Sequence, residues 1–84
     1  MEESLAVAIG SGVRAEMARR KLSQQAIGEV LGITQAQVGR RLVGTIEFKP
    51  SELEKLAGFF GIPVLTFFPN PGGAHWPQPD MSAA

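Results

Sequence analysis

A short segment of the sequence is rich in side chains whose hydrogen-bonding groups fit the edges of nucleobases. Two amides and one guanidinium surround a small residue, in the order Gln35, Ala36, Gln37 and Arg40. A glutamine amide can bond bidentately to adenine, an arginine guanidinium to guanine, and a small apolar side chain can contact a thymine methyl group. No acidic residue occurs from Ile33 to Thr45, so this stretch contains no charge that would repel a polyanion.

Two short helices joined by a tight turn are predicted to position these side chains. Ser23 can cap a first helix that starts at Gln24, because its hydroxyl accepts a free backbone amide proton. Gly32 follows the last periodic apolar residue, where a left-handed residue ends a helix. Thr34 and Gln37 have the spacing of a capping box that begins the next helix at once. Helix, short turn and helix form the helix-turn-helix pattern.

The apolar residues indicate how these helices pack. They share one side of each helix, with Ile27, Val30 and Leu31 in the first and Val38 and Leu42 in the second. This leaves the amide and guanidinium side chains on the outer side of the second helix. Gly28 lies in the middle of the first helix, where glycine costs about 1 kcal/mol relative to alanine. We therefore expect the second helix to approach closely at Gly28.

Residues Leu22 to Phe68 resemble the Cro/C1-type helix-turn-helix domain (XRE family) of phage repressors and bacterial regulators. The matching stretches are LSQQ at 22–25, LGIT at 31–34, VGRRLVG at 38–44, Leu53 to Leu56, and FGIP at 60–63. The resemblance implies an all-α, five-helix, lambda-repressor-like domain with the helix-turn-helix at helices 2 and 3. It also implies binding to double-stranded DNA, with helix 3 in the major groove. Met17 and Leu42 stand where many relatives have an Arg–Glu ion pair, so an apolar contact is expected instead.

The remaining elements follow from breakers and caps. A first helix is predicted between Ser4 and Lys21, with its regular part beginning only near Ser11 because Gly10-Ser11-Gly12 weakens the middle. Ser51 and Glu54 form a second capping box, Gly61 ends the fourth helix, and a fifth helix spans Val64 to Phe68. We expect a domain over residues 1–69 and a Pro/Gly-rich, extended or disordered tail over 70–84.

The resemblance and the outward face give distinct expectations for each polar residue. Base reading is assigned to Gln35, Ala36, Gln37 and Arg40. Phosphate binding is assigned to Ser23, Gln24, Thr34, Arg41, Thr45 and Lys49. Alternatives remain for several of them: Ser23 and Gln37 can act purely as caps, Arg40 can be a phosphate clamp, and Arg41 can be a solvated side chain. The Arg19-Arg20-Lys21 run suits a helix C-terminus better than DNA.

A dimer or partner surface is predicted from the aromatic residues. Phe59 with Phe60, and Phe67 with Phe68, cannot all face one small core. The candidate surface residues are Val64, Leu65, Phe67, Phe68 and Trp76. We expect a homodimer, at least on DNA, that binds an inverted-repeat operator. Two alternatives stay open: an antitoxin-like protein-interaction module that uses the fifth helix and Trp76, and a scaffold that binds DNA without sequence preference.

Composition narrows the function classes. The 84 residues have no net charge and no cysteine, and His75 is the single histidine. The segment from Arg14 to Lys49 contains seven basic and three acidic residues, and the rest of the chain contains one basic and five acidic residues. Charge is therefore segregated along the chain. We expect no metal, no cofactor, no small-molecule ligand, no enzyme activity and no membrane segment, and a cytoplasmic location.

Overall fold

The computed structural model describes residues 4–69, and within them every regular element is helical. Four α-helices are followed by one short 3₁₀ helix: α1 Leu5–Arg20, α2 Gln24–Leu31, α3 Gln35–Leu42, α4 Pro50–Phe60, and the 3₁₀ helix Val64–Phe67. The all-α class is confirmed, but the fifth element is a 3₁₀ turn that stops before Phe68. Phe68 precedes Pro69, and a residue before proline is disfavoured in the helical region; its backbone is extended.

The first helix is continuous through its glycines, so the expectation of a late start near Ser11 is wrong. Ser4 caps it, with Oγ accepting from Val7 N at 3.1 Å. A Cβ added at Gly10 would collide with the carbonyl oxygen of Leu42, and one added at Gly12 with that of Phe67. The glycines are therefore the places where α3 and the 3₁₀ helix cross α1. Their packing offsets a propensity cost of about 1 kcal/mol each.

The predicted caps of the helix-turn-helix are confirmed. Ser23 Oγ accepts from Ala26 N at 3.1 Å, and Gly32 ends α2 with a φ of 72°. Thr34 Oγ1 accepts from Gln37 N at 3.1 Å, and Gln37 Oε1 accepts from Thr34 N at 2.9 Å. A Cβ at Gly28 would lie 2.7 Å from the carbonyl oxygen of Ile33 and 3.6 Å from Val38 Cγ2. The closest neighbour of Gly28 is thus the turn, with α3 at ordinary contact distance.

The start of α4 differs from the predicted capping box. Ser51 and Glu54 do not form it, because the helix already begins at Pro50 with Lys49 as its N-cap. Proline suits this first position, since its φ is preset and it has no amide proton to satisfy. Glu52, three residues after Lys49, accepts from Lys49 N with Oε1 at 2.9 Å. The acidic residue that completes the cap is therefore Glu52.

One apolar core contains residues from all five elements and from the loop before α4. Its most deeply buried side chains are Val13, Ile27, Val38, Leu56 and Phe67. Phe60 and Phe67 meet edge to face with ring centroids 5.9 Å apart, whereas Phe59 is half exposed. Phe67 is only 1% exposed, so its assignment to a partner surface is wrong. Met17 and Leu42, where relatives have an ion pair, are both buried in this core.

Arg20 joins the C-terminal ends of α1 and α4. Its guanidinium lies 4.7 Å from the centre of the Phe60 ring and donates to the Phe60 carbonyl oxygen at 3.4 Å. The same group pairs with Glu16 at 2.7 Å, and Arg19 pairs with the other Glu16 oxygen at 3.0 Å. These arginines close the helix end, as the sequence predicted for the basic run, and they also neutralise a buried carboxylate.

Two glycines of the α4 region give a matched test of backbone conformation. Gly58 lies inside α4 with no atom within 4 Å of an added Cβ, and Gly61 has equally open space but a φ of 72°. We expect Gly58→Ala to raise the free energy of unfolding by about 0.5–1 kcal/mol through helix propensity. We expect Gly61→Ala to lower it by about 1 kcal/mol, because a Cβ disfavours left-handed backbone. Urea unfolding followed by circular dichroism measures both; changes of the same sign would contradict this account.

Candidate nucleic-acid interface

The rotation of α3 about its axis determines which side chains reach solvent. Val38 and Leu42 are 0% and 3% exposed and face the core. Ala36 and Arg40 are exposed on the opposite side, and Gln35 is exposed in the first turn of the helix. Arg40 follows Ala36 by four residues, so the two lie on one face about one turn apart. Three of the four residues predicted to read bases are therefore open to solvent, two of them on one face.

Gln37, the fourth predicted base reader, is half-buried and takes part in the cap of its own helix. Its Oε1 accepts from the backbone amide of Thr34, and its own backbone amide donates to Thr34 Oγ1. The side-chain oxygen thus has a partner within the protein. The side-chain amide nitrogen is the group that this arrangement leaves to donate outward.

The first turn of α2 lies beside the middle of α3. A Cβ added at Gly39 would come within 3.2 Å of Gln24 Oε1, so the Gln24 side chain lies against Gly39. Ser23 and Gln24 are exposed. The Ser23 hydroxyl oxygen accepts from Ala26 N, while its proton stays able to donate to another acceptor. The start of α2 and the outward face of α3 form one continuous surface.

The loop after α3 extends this surface on the other side. The amide of Thr45 donates to the Arg40 carbonyl oxygen at 2.9 Å, which fixes the loop to the last turn of α3. Gly44 has a φ of 87°, and a Cβ there would lie 2.8 Å from Val7 Cα on α1. Thr45 and Lys49 are exposed. The loop therefore presents both predicted phosphate-binding residues from a backbone that is held in place.

The structure contradicts the prediction that Arg41 binds phosphate. Its guanidinium is buried and pairs with Glu52, with Nε to Oε1 at 3.0 Å and Nη2 to Oε2 at 3.3 Å. The remaining nitrogen, Nη1, donates to the Gln37 carbonyl oxygen at 3.1 Å. All three donor groups are directed inward, so Arg41 is neither a phosphate contact nor a solvated side chain. Glu52 was missed from the sequence; its position in the first turn of α4, three residues after Lys49, was the available indication.

The environment of Glu52 favours its charged form. Burial alone would raise the pKa of this carboxyl group. The hydrogen bond from Arg41, the backbone amide of Lys49 and the positive charges of both residues outweigh burial, so the pKa is lowered below the ordinary value of 4.5. The Glu52 carboxylate is therefore ionised at neutral pH.

Ion pairing within the fold reduces the positive charge that the sequence offered. Arg19, Arg20 and Arg41 all pair with buried carboxylates. Between residues 35 and 49, the exposed charges are Arg40, Lys49 and Glu47. The surface around α3 is thus mainly hydrogen-bonding and only modestly positive.

Comparison with known proteins identifies this arrangement. The Helix-turn-helix family profile matches residues 13–67, which include α2, the turn and α3. The chain belongs to the Cro/C1-type (XRE) helix-turn-helix family. It is 32% identical over 77 residues to an uncharacterized HTH-type transcriptional regulator of Sinorhizobium medicae, and the match covers 90% of this chain. The chain spans only 55% of the length of that relative.

Solved structures of other proteins have the same fold. The DNA-binding domain of BldD from S. venezulae is 26% identical, with a TM-score of 0.67 over 80% of this chain and 100% of that one. The restriction-modification controller protein C.AhdI from Aeromonas hydrophila is 24% identical, with a TM-score of 0.68 over 75% of this chain and 96% of that one. The resemblance and the fold class predicted from the sequence are confirmed. Family membership also makes this a DNA-binding helix-turn-helix domain.

Residues 4–69 contain neither a candidate metal site nor a helix that could span a membrane. No group of three or more potential metal-ligating side chains occurs in the described part of the chain. None of the helices there is long and apolar enough to cross a membrane. His75 and Trp76, and with them the predicted tail and its partner-binding role, lie outside the described residues.

The lowered pKa of Glu52 predicts how stability depends on pH. The unfolded chain binds a proton at Glu52 near pH 4.5, whereas the folded chain binds it only at lower pH. Ionised Glu52 therefore adds its full contribution to the free energy of unfolding above pH 4.5. This contribution is lost as the pH falls through the pKa of Glu52 in the folded chain. We expect Glu52→Gln to weaken this acid dependence and to lower the free energy of unfolding at pH 7 by about 3 kcal/mol, because Arg41 loses its counter-ion.

Urea unfolding at pH 7 and at pH 3 measures both effects. Glu54→Gln is the matched control, since Glu54 is exposed on the same helix. It should keep the wild-type stability at pH 7 and the wild-type loss in acid. An equal response of the two variants to pH would contradict the role assigned to Glu52.

Proposed function

We propose that this chain is the DNA-binding part of a bacterial or phage transcriptional repressor that inserts α3 into the major groove. The main observation is the orientation of α3: Val38 and Leu42 are buried, while Gln35, Ala36 and Arg40 project into solvent. An eight-residue helix with a polar outer face fits the groove of B-DNA. Action on DNA implies a location in the bacterial cytoplasm, including that of a phage-infected host.

Base recognition in this proposal depends mainly on Gln35 and Arg40. Gln35 lies in the first turn of α3, the end that contacts base edges in this class of protein. Its amide can bond to adenine, and the Arg40 guanidinium to guanine. Ala36 lies between them and suits contact with a thymine methyl group. Gln37 contributes at most a donated hydrogen bond, because its oxygen already accepts from Thr34.

Phosphate contacts flank this central strip. Ser23, Gln24 and Thr34 lie near the start of α2 and the turn, and Thr45 and Lys49 lie in the loop after α3. The hydroxyl groups of Ser23 and Thr34 accept from backbone amides but can still donate to a phosphate oxygen. The free amides at the start of α2 also favour an anion. With few exposed cations here, we expect weak non-specific binding and a shallow dependence on salt.

Dimerisation is the second part of the proposal. One domain reads only a few base pairs, so a homodimer on an inverted repeat is expected. The surface that remains from the predicted set is Val64, Leu65 and Phe68; Leu65 is 63% exposed. Together with Pro50 and Leu53 these residues line an apolar groove of about 460 Å³. Burial of such a groove against a second copy would remove apolar area from water.

The same groove supports an alternative function. An exposed apolar groove is also what a protein-interaction module, such as an antitoxin, would use to bind its target. In that case the groove would be covered by a different protein and the free chain would stay monomeric on DNA. The two possibilities differ in stoichiometry, which the second experiment below measures.

Arg40 provides the test of base reading. A duplex selected from random DNA by the wild-type protein serves as the cognate site. We expect Arg40→Ala to lose about 1–3 kcal/mol of binding to this site, with relaxed discrimination at one position. Fluorescence anisotropy against the selected and a scrambled duplex measures the loss. Arg14→Ala, an exposed arginine on α1, is the charge-matched control. Equal weakening on both duplexes would make Arg40 a phosphate contact.

Leu65 provides the test of dimerisation. We expect Leu65→Lys to lower the affinity for the selected inverted repeat at least tenfold, because a charge would be buried between the two copies. Analytical ultracentrifugation of protein with duplex gives the stoichiometry, which should fall from two to one. Phe59→Lys, at a half-exposed position elsewhere on α4, is the control and should bind as two copies. Unchanged assembly of Leu65→Lys would exclude this surface.

A further inference from the structure

The buried ion pair between Arg41 and Glu52 connects the two halves of the proposed DNA surface. Arg41 belongs to α3 and donates to the Gln37 carbonyl oxygen within that helix. Glu52 belongs to α4, pairs with Arg41 through both oxygens, and accepts from the backbone amide of Lys49. The network therefore runs from the base-reading helix to the backbone of a residue proposed to contact phosphate.

The stability of the fold does not explain why this pair is ionic. Both side chains are nearly buried, with exposed fractions of 8% and 11%. Removing two charges from water is costly, and apolar side chains of similar size in such a place are often equally stabilising. A pair of apolar residues would, however, lack direction. Two parallel hydrogen bonds from a planar guanidinium fix both distance and orientation.

Directional contacts matter here because the core contacts of α3 are not directional. Val38 and Leu42 bury the inner side of the helix, but apolar burial tolerates small rotations about the helix axis. A rotation of about 20° would move a group on the surface of a helix about 10–12 Å wide by about 2 Å. Such a shift exceeds the tolerance of a hydrogen bond to a base edge.

We propose that Arg41 and Glu52 are positioning residues that set the rotation of α3 relative to α4. They thereby fix Arg40 relative to Lys49, so that base contact and phosphate contact occur in one register. This inference rests on the proposed function for its effect on DNA. Its structural content, the orientation of α3 on α4, does not depend on DNA.

The test separates positioning from stability by replacing the pair with apolar residues. The variant R41M/E52L removes both charges, and R14M/E29L removes two exposed charges as the matched control. Because the chain has no cysteine, spin labels can be attached at Ala36→Cys on α3 and Lys55→Cys on α4, both exposed positions. Double electron–electron resonance spectroscopy then gives the distribution of distances between the two labels in the absence of DNA. Unlabelled proteins are titrated with the selected and the scrambled duplex.

We expect R41M/E52L to melt within a few degrees of the wild type but to show a broader or shifted distance distribution. Its preference for the selected over the scrambled duplex should fall at least tenfold, while R14M/E29L keeps both properties. An unchanged distribution together with an unchanged preference would overturn the proposal.

Two further outcomes are distinguishable. If R41M/E52L does not fold, the distance distribution is measured in R41K instead, because lysine keeps the charge but lacks the planar guanidinium. A wild-type distance distribution in R41K would overturn the proposal. If the wild type selects no preferred sequence from random DNA, the proposed function fails. The distance distribution alone then supports or overturns the positioning role.

Discussion

The burial of Val38 and Leu42 is the constraint on which the rest of the structure depends. These two side chains fix which side of α3 faces the core, and thereby which side faces outward. The neighbouring elements are shaped to permit this. Gly10 allows the carbonyl end of α3 to lie directly on α1, and Gly28 allows the turn to fold tightly against α2. A side chain at Gly10 would push α3 away, and one at Gly28 would displace the turn that precedes α3.

The two helices of the motif are too short to be stable by themselves. Each has eight residues, whereas isolated helices shorter than about 12–15 residues are marginal in water. Their ends are satisfied by side-chain caps at Ser23 and Thr34 and by left-handed Gly32. Caps specify where each helix starts and stops, and the shared core supplies the stability. The same polar groups also lie where the duplex is proposed to bind.

Charge is used inside the fold as much as on its surface. Glu16 is neutralised by Arg19 and Arg20, and Glu52 by Arg41. Arg20 also stacks on Phe60 and so closes the C-terminal ends of α1 and α4. These pairs leave few cations on the surface proposed to bind DNA, which is consistent with a chain of zero net charge. Affinity in such a domain would depend on hydrogen bonding and on two copies acting together.

Local chemistry allowed the sequence to determine the helix-turn-helix. Caps and glycine stops act over three or four residues, and the outward face of α3 follows from its apolar period. Contacts between distant residues were decided only by tertiary structure. Gly10 and Gly12 were predicted to weaken the first helix, because the residues that pack against them are more than 30 and more than 50 positions away in sequence. Arg41 was predicted to be a surface charge because Glu52 approaches it only when α4 packs beside α3. Phe67 was predicted to be exposed because its ring is covered only when the 3₁₀ helix packs against α1 and α4.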